Sequence, residues 1–330
     1  MKPAEGMQIA HRHFRAMGTE VDAWLWNSHE QRARNALRMV ERFFAKTEAR
    51  LSRFRADSEL SRLNRAAGST FMASPVLFGL VEDALNWRTR TGGIFDPAVL
   101  PALIEAGYDR SFADIEAGPA EEVRSRPAAP AHPVNAGDIR LDRSGAIALP
   151  AGVALDLGGI AKGWTVQEAV HQLGMWGPCL VDAGGDIACM GQPPAEPWVV
   201  TVADPRDETR DLAVLSLENE AVATSSRVKR QWRRDGKAAH HLIDPRTGAP
   251  AVTNVLSVTV VAPRLPDAEI HAKTALILGE TEGRAYLADL PDVAAILVMD
   301  DNRIATSGAF EERAYVPSIS TFIDRLHVAG

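Results

Sequence analysis

Short strand-like segments crowd the second half of the chain, and they constrain the fold more than any other feature of the sequence. Each segment is apolar or alternates apolar and polar side chains, and turn residues separate it from the next. The predicted strands lie at residues 139–149, 178–182, 198–203, 212–217, 221–224, 240–243 and 256–262. Strands grouped in this way, with few helices between them, favour an α+β fold of largely antiparallel sheets with flanking helices over a doubly wound sheet.

Helical patterns dominate the N-terminal third of the chain. Residues 20–26 alternate as a half-buried strand, and Ser28 with Gln31 has the spacing of a capping box at the start of a long helix. Ser74, followed by Pro75, predicts the N-cap and first turn of a second helix.

Two helices and one strand are predicted towards the C-terminus. Asp267 begins a helix that ends at Gly279, and Thr281 begins the next. An apolar strand follows at residues 294–299.

We predict one domain over residues 1–330, built in three parts. An N-terminal part of helices and strands covers about 14–112, and a strand-rich C-terminal part covers about 136–330. Between them, residues 113–135 are rich in Ala, Pro, Glu and Arg, which predicts a surface excursion with a short helix at residues 120–124.

The stretch D-L-G-G-I-A-K-G at residues 156–163 is the strongest candidate for a ligand site. An apolar segment at residues 153–157, predicted as a strand, leads into Gly158 and Gly159, and a helical pattern follows. Paired glycines let a ligand approach the backbone, and the first N–H groups of a helix suit phosphate. Lys162 adds a positive charge at the same place.

The spelling of this stretch excludes two familiar phosphate motifs. A dinucleotide fingerprint requires G-x-G-x-x-G and a P-loop requires G-x-x-x-x-G-K-[ST], whereas here Lys162 precedes its glycine. Taken alone, the stretch is equally well interpreted as an ordinary strand–helix corner with a solvated lysine.

Composition narrows the function classes. The chain of 330 residues is 46% hydrophobic and 24% charged, as is typical of a soluble globular enzyme. Its net charge of −7 and the lack of a dense Lys/Arg run argue against nucleic acid as a partner. No signal peptide and no apolar run long enough to span a membrane are recognised, so a cytoplasmic location is expected.

Five further motifs share an order and spacing with the glycine stretch. They are M-G-T at 17–19, T-G-G-I-F-D-P at 91–97, G-G-D at 184–186, A-T-S at 223–225 and H-H-L-I-D-P-R-T-G at 240–248. Together they resemble the ApbE family of FAD:protein FMN transferases (flavin transferases) over residues 14–310. The two motifs D-L-G-G-I-A-K-G and H-x-[IL]-D-P-R-T-G form a pair that is specific to this family.

The resemblance implies an α+β fold that holds FAD in a cleft between subdomains. The implied reaction splits the FAD diphosphate, passes the FMN half to a serine or threonine hydroxyl of an acceptor flavoprotein, and releases AMP. A divalent metal, usually magnesium, would bridge the phosphates. Phosphoryl transfer of this kind requires positioning, charge neutralisation and a base.

Matching positions assign the adenine and ribose side to Met17, Phe54, Ile94, Phe95 and Asp96. Asp96 would accept hydrogen bonds from ribose hydroxyls or from the adenine amino group. A capped Asp–Pro turn is the structural alternative for Asp96.

The remaining cofactor contacts are implied at the glycine stretch and at D-P-R-T-G. Gly158, Lys162 and Trp164 would hold the diphosphate and flavin, and Asp244 and Thr247 would face the cofactor. His241 matches the histidine of the family motif and is the candidate general base, while its neighbour His240 is expected to point to the opposite face.

The metal ligands show the main departure from the family pattern. The resemblance implies the Ala161 carbonyl, Thr274 and an Asp four residues before Thr274, but Ile270 stands at that position. Asp267 and Glu269 are the nearby acids, one a further turn away and the other rotated off that face. We therefore predict weak magnesium binding unless one of these two is re-aimed.

A second departure follows the A-T-S motif, where residues 224–228 read T-S-S-R-V instead of T-S-G followed by an acid and a tyrosine. This basic edge is expected to narrow the entrance for flavin or acceptor.

Two hypotheses for the function stand: a metal-dependent flavin transferase, or an FAD-binding relative with little or no transfer that serves as a carrier, sensor or slow FAD pyrophosphatase. A non-flavin nucleotide enzyme is a third class.

Overall fold

The computed structural model describes residues 8–116, 136, 138–194, 196–234 and 237–313. Over those residues it contains seven α-helices: α1 (Glu30–Leu51), α2 (Glu59–Arg65), α3 (Pro75–Arg90), α4 (Leu100–Glu105), α5 (Phe112–Glu116), α6 (Ala161–Gly174) and α7 (Leu265–Ala288). The strands of the same residues are β1 (Gln8–Ala16), β2 (Thr19–Asn27), β3 (Thr70–Met72), β4 (Arg140–Asp142), β5 (Ala146–Ala148), β6 (Cys179–Ala183), β7 (Asp186–Met190), β8 (Trp198–Asp204), β9 (Asp207–Leu217), β10 (Ala221–Ser226), β11 (Gln231–Arg234), β12 (Lys237–His240), β13 (Ile243–Asp244), β14 (Ala249–Pro250), β15 (Val255–Ala262), β16 (Ala294–Met299) and β17 (Ile304–Ser307).

An eight-stranded sheet with the order β1-β2-β6-β7-β10-β15-β16-β17 forms the centre of the molecule. Every neighbouring pair in it is antiparallel. This confirms the prediction of an α+β fold with largely antiparallel sheets and flanking helices. The predicted strand at 294–299 has the bounds of β16.

Helices cover one face of this sheet and a hairpin covers the other. On α1, Leu37, Val40 and Phe44 recur at helical spacing and are buried with residues of α6, α7 and the sheet in one apolar cluster. On the opposite face, Trp198 of β8 and Leu215 of β9 are buried against the sheet. The central strands are therefore apolar on both sides.

A second apolar cluster lies beside the sheet and forms the other wall of the cavity described below. It joins α2, α3 and the small sheet β3-β5-β4 to the segment that precedes α6. Leu155 and Leu157 of that segment are buried in this cluster, as is Ile270 of α7.

Several helix signals in the sequence are confirmed. The Ser74 hydroxyl accepts from the Leu77 amide at the start of α3, with Pro75 in the first turn. Helix α7 begins two residues before the predicted Asp267, and at Gly279 its backbone leaves helical geometry, with φ 80° and ψ −177°. The predicted break at Gly279 is thus present within one helical element.

Other local predictions were wrong. Ser28 and Gln31 form no capping box: the N-cap of α1 is His29, whose amide donates to the side chain of Asn27. Residues 153–157 form no strand, because their backbone enters no ladder. The predicted strand at 139–149 is the hairpin β4–β5, and that at 240–243 is split between β12 and β13.

The surface excursion falls mostly outside the described residues. Only its beginning, where α5 ends at Glu116, is described, and the predicted helix at residues 120–124 lies outside.

Candidate active site

A cavity of about 750 Å³ lies between the central sheet and the second cluster. Nine of the thirteen residues that the sequence assigned to the site line it: Met17, Phe54, Ile94, Phe95, Asp96, Gly158, Ala161, Lys162 and His241. The other four, Trp164, Asp244, Thr247 and Thr274, are not among the residues that line it. The volume lies within the range of cofactor and ligand pockets.

The glycine corner at residues 156–163 has most of its amides occupied. The Gly158 amide donates to Asp156 Oδ1 at 2.8 Å, the Ala161 amide to the Leu157 carbonyl at 2.8 Å, and the Gly163 amide to Glu269 Oε2 at 3.1 Å. These bonds cap the first turn of α6 from within the protein. The cluster of free amides that the sequence suggested for a phosphate is therefore reduced, and side-chain cations become the more prominent positive groups.

Two lysines and two buried carboxylates form a charge network in this wall of the cavity. Lys162 forms an ion pair with Asp186 and donates to the Ala183 carbonyl at 3.0 Å. Burial, reinforced by the negative charge of Asp186, raises the pKa of Glu269 to about 7, while Lys273 and Lys162 act in the opposite direction. The net effect is a polar wall in which Asp186 is ion-paired with Lys162 and Glu269 lies within the field of both lysines.

The face of α7 that meets the cavity is one residue away from the face that the sequence predicted. Glu269, Lys273 and Ile277, at i, i+4 and i+8, line the cavity. Ile270 and Thr274 are fully buried instead, and Thr274 Oγ1 has no hydrogen-bond partner among the described residues. The (i, i+4) pair of opposite charges was the sequence signal that could have identified this face.

The metal ligands implied by the resemblance do not all line the cavity. Thr274 does not line the cavity, and the Ala161 carbonyl accepts a hydrogen bond from Thr165 Oγ1 at 2.6 Å. Of the two nearby acids, Glu269 faces the cavity and Asp267 does not line it. Within the described part of the chain, no group of three or more His, Cys, Asp or Glu side chains is placed to hold a metal ion.

Trp164 lies outside the main cavity. Its ring is 6.0 Å from that of Phe43, centroid to centroid, and it lines a separate cavity of about 430 Å³ together with Arg90 and Arg264. Trp164 is two positions beyond Lys162 on α6, which directs it to another side of the helix.

His241 lines the cavity, and its environment favours the neutral imidazole. Burial lowers its pKa well below 6.5, and the charges of Arg230 and Lys273 lower it further. Its Nδ1 is buried without a hydrogen-bond partner among the described residues. His240 is engaged differently: its Nε2 donates to the Ala251 carbonyl at 3.1 Å, and its Nδ1 accepts from the Leu242 amide at 3.3 Å.

Asp96 caps its Asp–Pro turn, which is the structural alternative given for it in the sequence analysis. Its Oδ2 accepts from Arg88 Nε at 2.7 Å, and its Oδ1 accepts from the Ala98 amide at 2.8 Å. Asp244 likewise pairs with Arg246 through both carboxylate oxygens, and the Thr247 hydroxyl donates to the Asp244 carbonyl at 3.2 Å. These three residues stabilise turns at or near the cavity.

Arg53 is a cavity residue that the sequence analysis missed. Its guanidinium lies 4.1 Å from the Phe54 ring centroid and 4.5 Å from the Tyr108 ring centroid. Its Nε contacts Asp156 Oδ2 at 2.7 Å, and one of its terminal nitrogens is buried without a partner among the described residues. Its position two residues after the end of α1 was the only sequence signal that could have identified it.

The basic edge at residues 224–228 is arranged differently from the prediction. Thr224, Ser225 and Ser226 line the cavity, but Arg227 does not. The Arg227 guanidinium donates to the Val255 carbonyl and to Asp300, each at 3.0 Å. It therefore does not narrow the cavity.

None of the seven helices of the described residues combines the length and the apolar character that a membrane-spanning helix requires.

The chain is similar in sequence to proteins of one family. A sequence model of the ApbE family matches residues 17–298. The chain is 33% identical over 312 residues to the FAD:protein FMN transferase of Treponema pallidum (strain Nichols), covering 88% of this chain and 84% of that protein. It is 27% identical to the FAD:protein FMN transferase of Klebsiella pneumoniae (strain 342), covering 88% and 89%.

The fold is also that of a solved relative. The crystal structure of the ApbE protein of Thermotoga maritima superposes with a TM-score of 0.82 at 25% identity, over 94% of this chain and all of that one. The family match spans most of the chain and includes the glycine corner, the G-G-D turn and His241. The chain therefore belongs to the ApbE family.

Proposed function

We propose that this protein is an FAD:protein FMN transferase, which attaches FMN from FAD to a serine or threonine of an acceptor flavoprotein. The observation that carries the proposal is the convergence of separate family motifs, about 220 residues apart in sequence, on one cavity: Met17, Gly158, Lys162 and His241 all line it. Two curated relatives that match most of the chain have this activity as their name.

The reaction conserves atoms and charge. The acceptor hydroxyl oxygen attacks the phosphorus of the FMN half and forms a new phosphoester bond. The bond from that phosphorus to the bridging oxygen breaks, and AMP leaves with this oxygen. The proton of the attacking hydroxyl passes to the base.

His241 is proposed as that base. A base must be unprotonated before the reaction, and burial together with the nearby cations keeps the imidazole neutral at neutral pH. Its Nδ1 is buried and makes no hydrogen bond within the described residues.

The cavity residues suggest how FAD would lie. Phe54, beside Arg53, offers an aromatic face for adenine, and Met17, Ile94 and Phe95 would enclose the ribose side. Lys162 and Gly158 would meet the diphosphate. Asp96, Asp244 and Thr247 would act by holding turns, because their polar groups already bond within the protein.

Magnesium fits this site poorly. Thr274 does not line the cavity with Ala161, and the apolar Ile270 supplies no carboxylate. Asp186 and Glu269, two of the acidic residues that line the cavity, already interact with lysines. We propose weak magnesium dependence, as the sequence predicted from Ile270. The cytoplasmic location stays a prediction.

The second hypothesis is an FAD-binding relative with weak or no transfer, and the buried Ile270 at the expected metal position favours it. Incubation with FAD, magnesium and an acceptor flavoprotein separates the possibilities. Fluorescent acceptor together with AMP supports transfer. AMP without labelled acceptor indicates a pyrophosphatase, bound FAD without either product indicates a carrier or sensor, and failure to bind FAD indicates a non-flavin nucleotide enzyme.

A further inference from the structure

We propose that Lys273 supplies positive charge to the FAD diphosphate from within the protein, at the position where the family expects a divalent metal. The inference rests on the proposed function and extends it: Lys273 becomes a binding and specificity residue, and the site works with little or no metal. Four observations on described residues support it.

The first observation is the position of Lys273. It lies on α7 one turn after Glu269, on the helix face that lines the cavity. Its ammonium nitrogen lies 5.7 Å from the Phe95 ring centroid. The group is thus held over the part of the cavity that the motifs assign to the dinucleotide.

The second observation is the space that Gly159 leaves. A Cβ built on Gly159 would overlap Lys273 Nζ and would lie 3.4 Å from Phe95 Cε2. The φ of Gly159 is not positive, so what the glycine provides here is room for the ammonium and not a special backbone conformation. The paired glycines therefore admit the lysine ammonium to the corner that the sequence assigned to phosphate.

The third observation is that the charge of Lys273 reaches the proposed base. It is among the groups that lower the pKa of His241. A cation between the glycine corner and the imidazole is placed to neutralise the diphosphate oxygens next to the attacking hydroxyl.

The fourth observation is the mismatch with a metal. A divalent cation needs several oxygen ligands in one place, whereas Thr274 is buried away from the cavity and Ile270 offers no oxygen. An ammonium group needs no ligand set, because it donates its own hydrogen bonds to phosphate oxygens. Lys162, on the same wall of the cavity, is already ion-paired with Asp186, so Lys273 is the lysine proposed to meet the diphosphate.

The test measures FAD binding by flavin fluorescence in EDTA, with riboflavin as a ligand that lacks phosphate. We compare the wild type with Lys273→Met, the charge-retaining Lys273→Arg, and Lys46→Met, which removes an exposed lysine of α1. Lys273→Met should weaken FAD binding by about tenfold or more, the effect of losing one charged hydrogen bond, while riboflavin binding is unchanged. Lys273→Arg and Lys46→Met should bind FAD as the wild type does.

Wild-type FAD binding that is lost in EDTA, or a Lys273→Met variant that binds FAD normally, would overturn the proposal. Lys273→Gln provides a second neutral variant if the methionine variant unfolds. FMN transfer by the wild type should persist in EDTA, and transfer by Lys273→Met should be reduced both with and without added magnesium. If no acceptor is labelled under any condition, the proposed function fails, but the difference in FAD binding still tests Lys273.

Discussion

The Gly163 amide donates to Glu269 Oε2 over 3.1 Å and joins the first turn of α6 to the face of α7 that lines the cavity. The contact is close because position 163 has no side chain. A Cβ there would lie 2.6 Å from Glu269 Oε2 and 3.4 Å from the backbone nitrogen of Pro266. The last glycine of D-L-G-G-I-A-K-G therefore serves helix packing.

Gly163→Ala should lower the free energy of unfolding by about 1–3 kcal/mol, because the added methyl forces α6 away from α7. The expected readout is a lower midpoint in chemical denaturation. Gly79→Ala is the matched control, since a Cβ at this position of α3 meets nothing within 4 Å. That control should be neutral or stabilising, and an equal loss in both variants would contradict the packing argument.

His241→Ala should abolish FMN transfer and leave FAD binding intact, because the imidazole is proposed to take the proton of the acceptor and not to hold FAD. Transfer is measured as fluorescent acceptor, and FAD binding by fluorescence titration. His29→Ala, at the exposed N-cap of α1, should behave as the wild type. Persistent transfer in His241→Ala would remove this residue from the base role.

In the profile of transferase activity against pH, the midpoint of the acid limb should lie below 6.5, the ordinary pKa of histidine. Burial and then the neighbouring cations lower the pKa of His241 well below 6.5, so the base form persists as pH falls until that lower pKa is reached. Measurement of kcat/KM for FAD against pH reports the free protein. A limb centred above pH 6.5 would show that another group controls the rate.

Ile270→Asp should unfold the protein more easily and should not create a metal site. Ile270 is fully buried in the cluster that includes Leu157 and Ile160, so the carboxylate would be buried without a partner. The expected loss in the free energy of unfolding is about 3–5 kcal/mol. Thermal unfolding with and without magnesium measures this loss. A gain in the stability of the variant with magnesium would show that position 270 can supply a metal ligand, as the family pattern implies.

Trp164→Phe should leave FAD affinity unchanged, because the indole lines the smaller cavity and packs near Phe43. FAD titration of the variant measures this directly. A clear loss of affinity, with an unchanged unfolding midpoint, would place the flavin on the other side of α6.

Local physics explains why much of this structure was predictable from the sequence. Neighbours within a few residues determine the periodic burial of α1, the N-cap at Ser74 and the apolar run of β16. These elements can therefore be predicted from the local sequence. The motif order also identified nine of the residues that line the cavity, because each motif combines a turn with its functional side chain.

Tertiary packing decided the rest. Each residue turns an α-helix by about 100°, so the choice between the Glu269/Lys273 face and the Ile270/Thr274 face depends on which side chains the surrounding clusters bury. The pairing of Arg53 with Asp156 likewise joins positions about a hundred residues apart, which no local pattern encodes. The sequence by itself determined the family, most strands of the central sheet and nine of the residues that line the cavity. Only the fold decided which charges meet inside it, because a charge's partners are set by distance in space and not by distance along the chain.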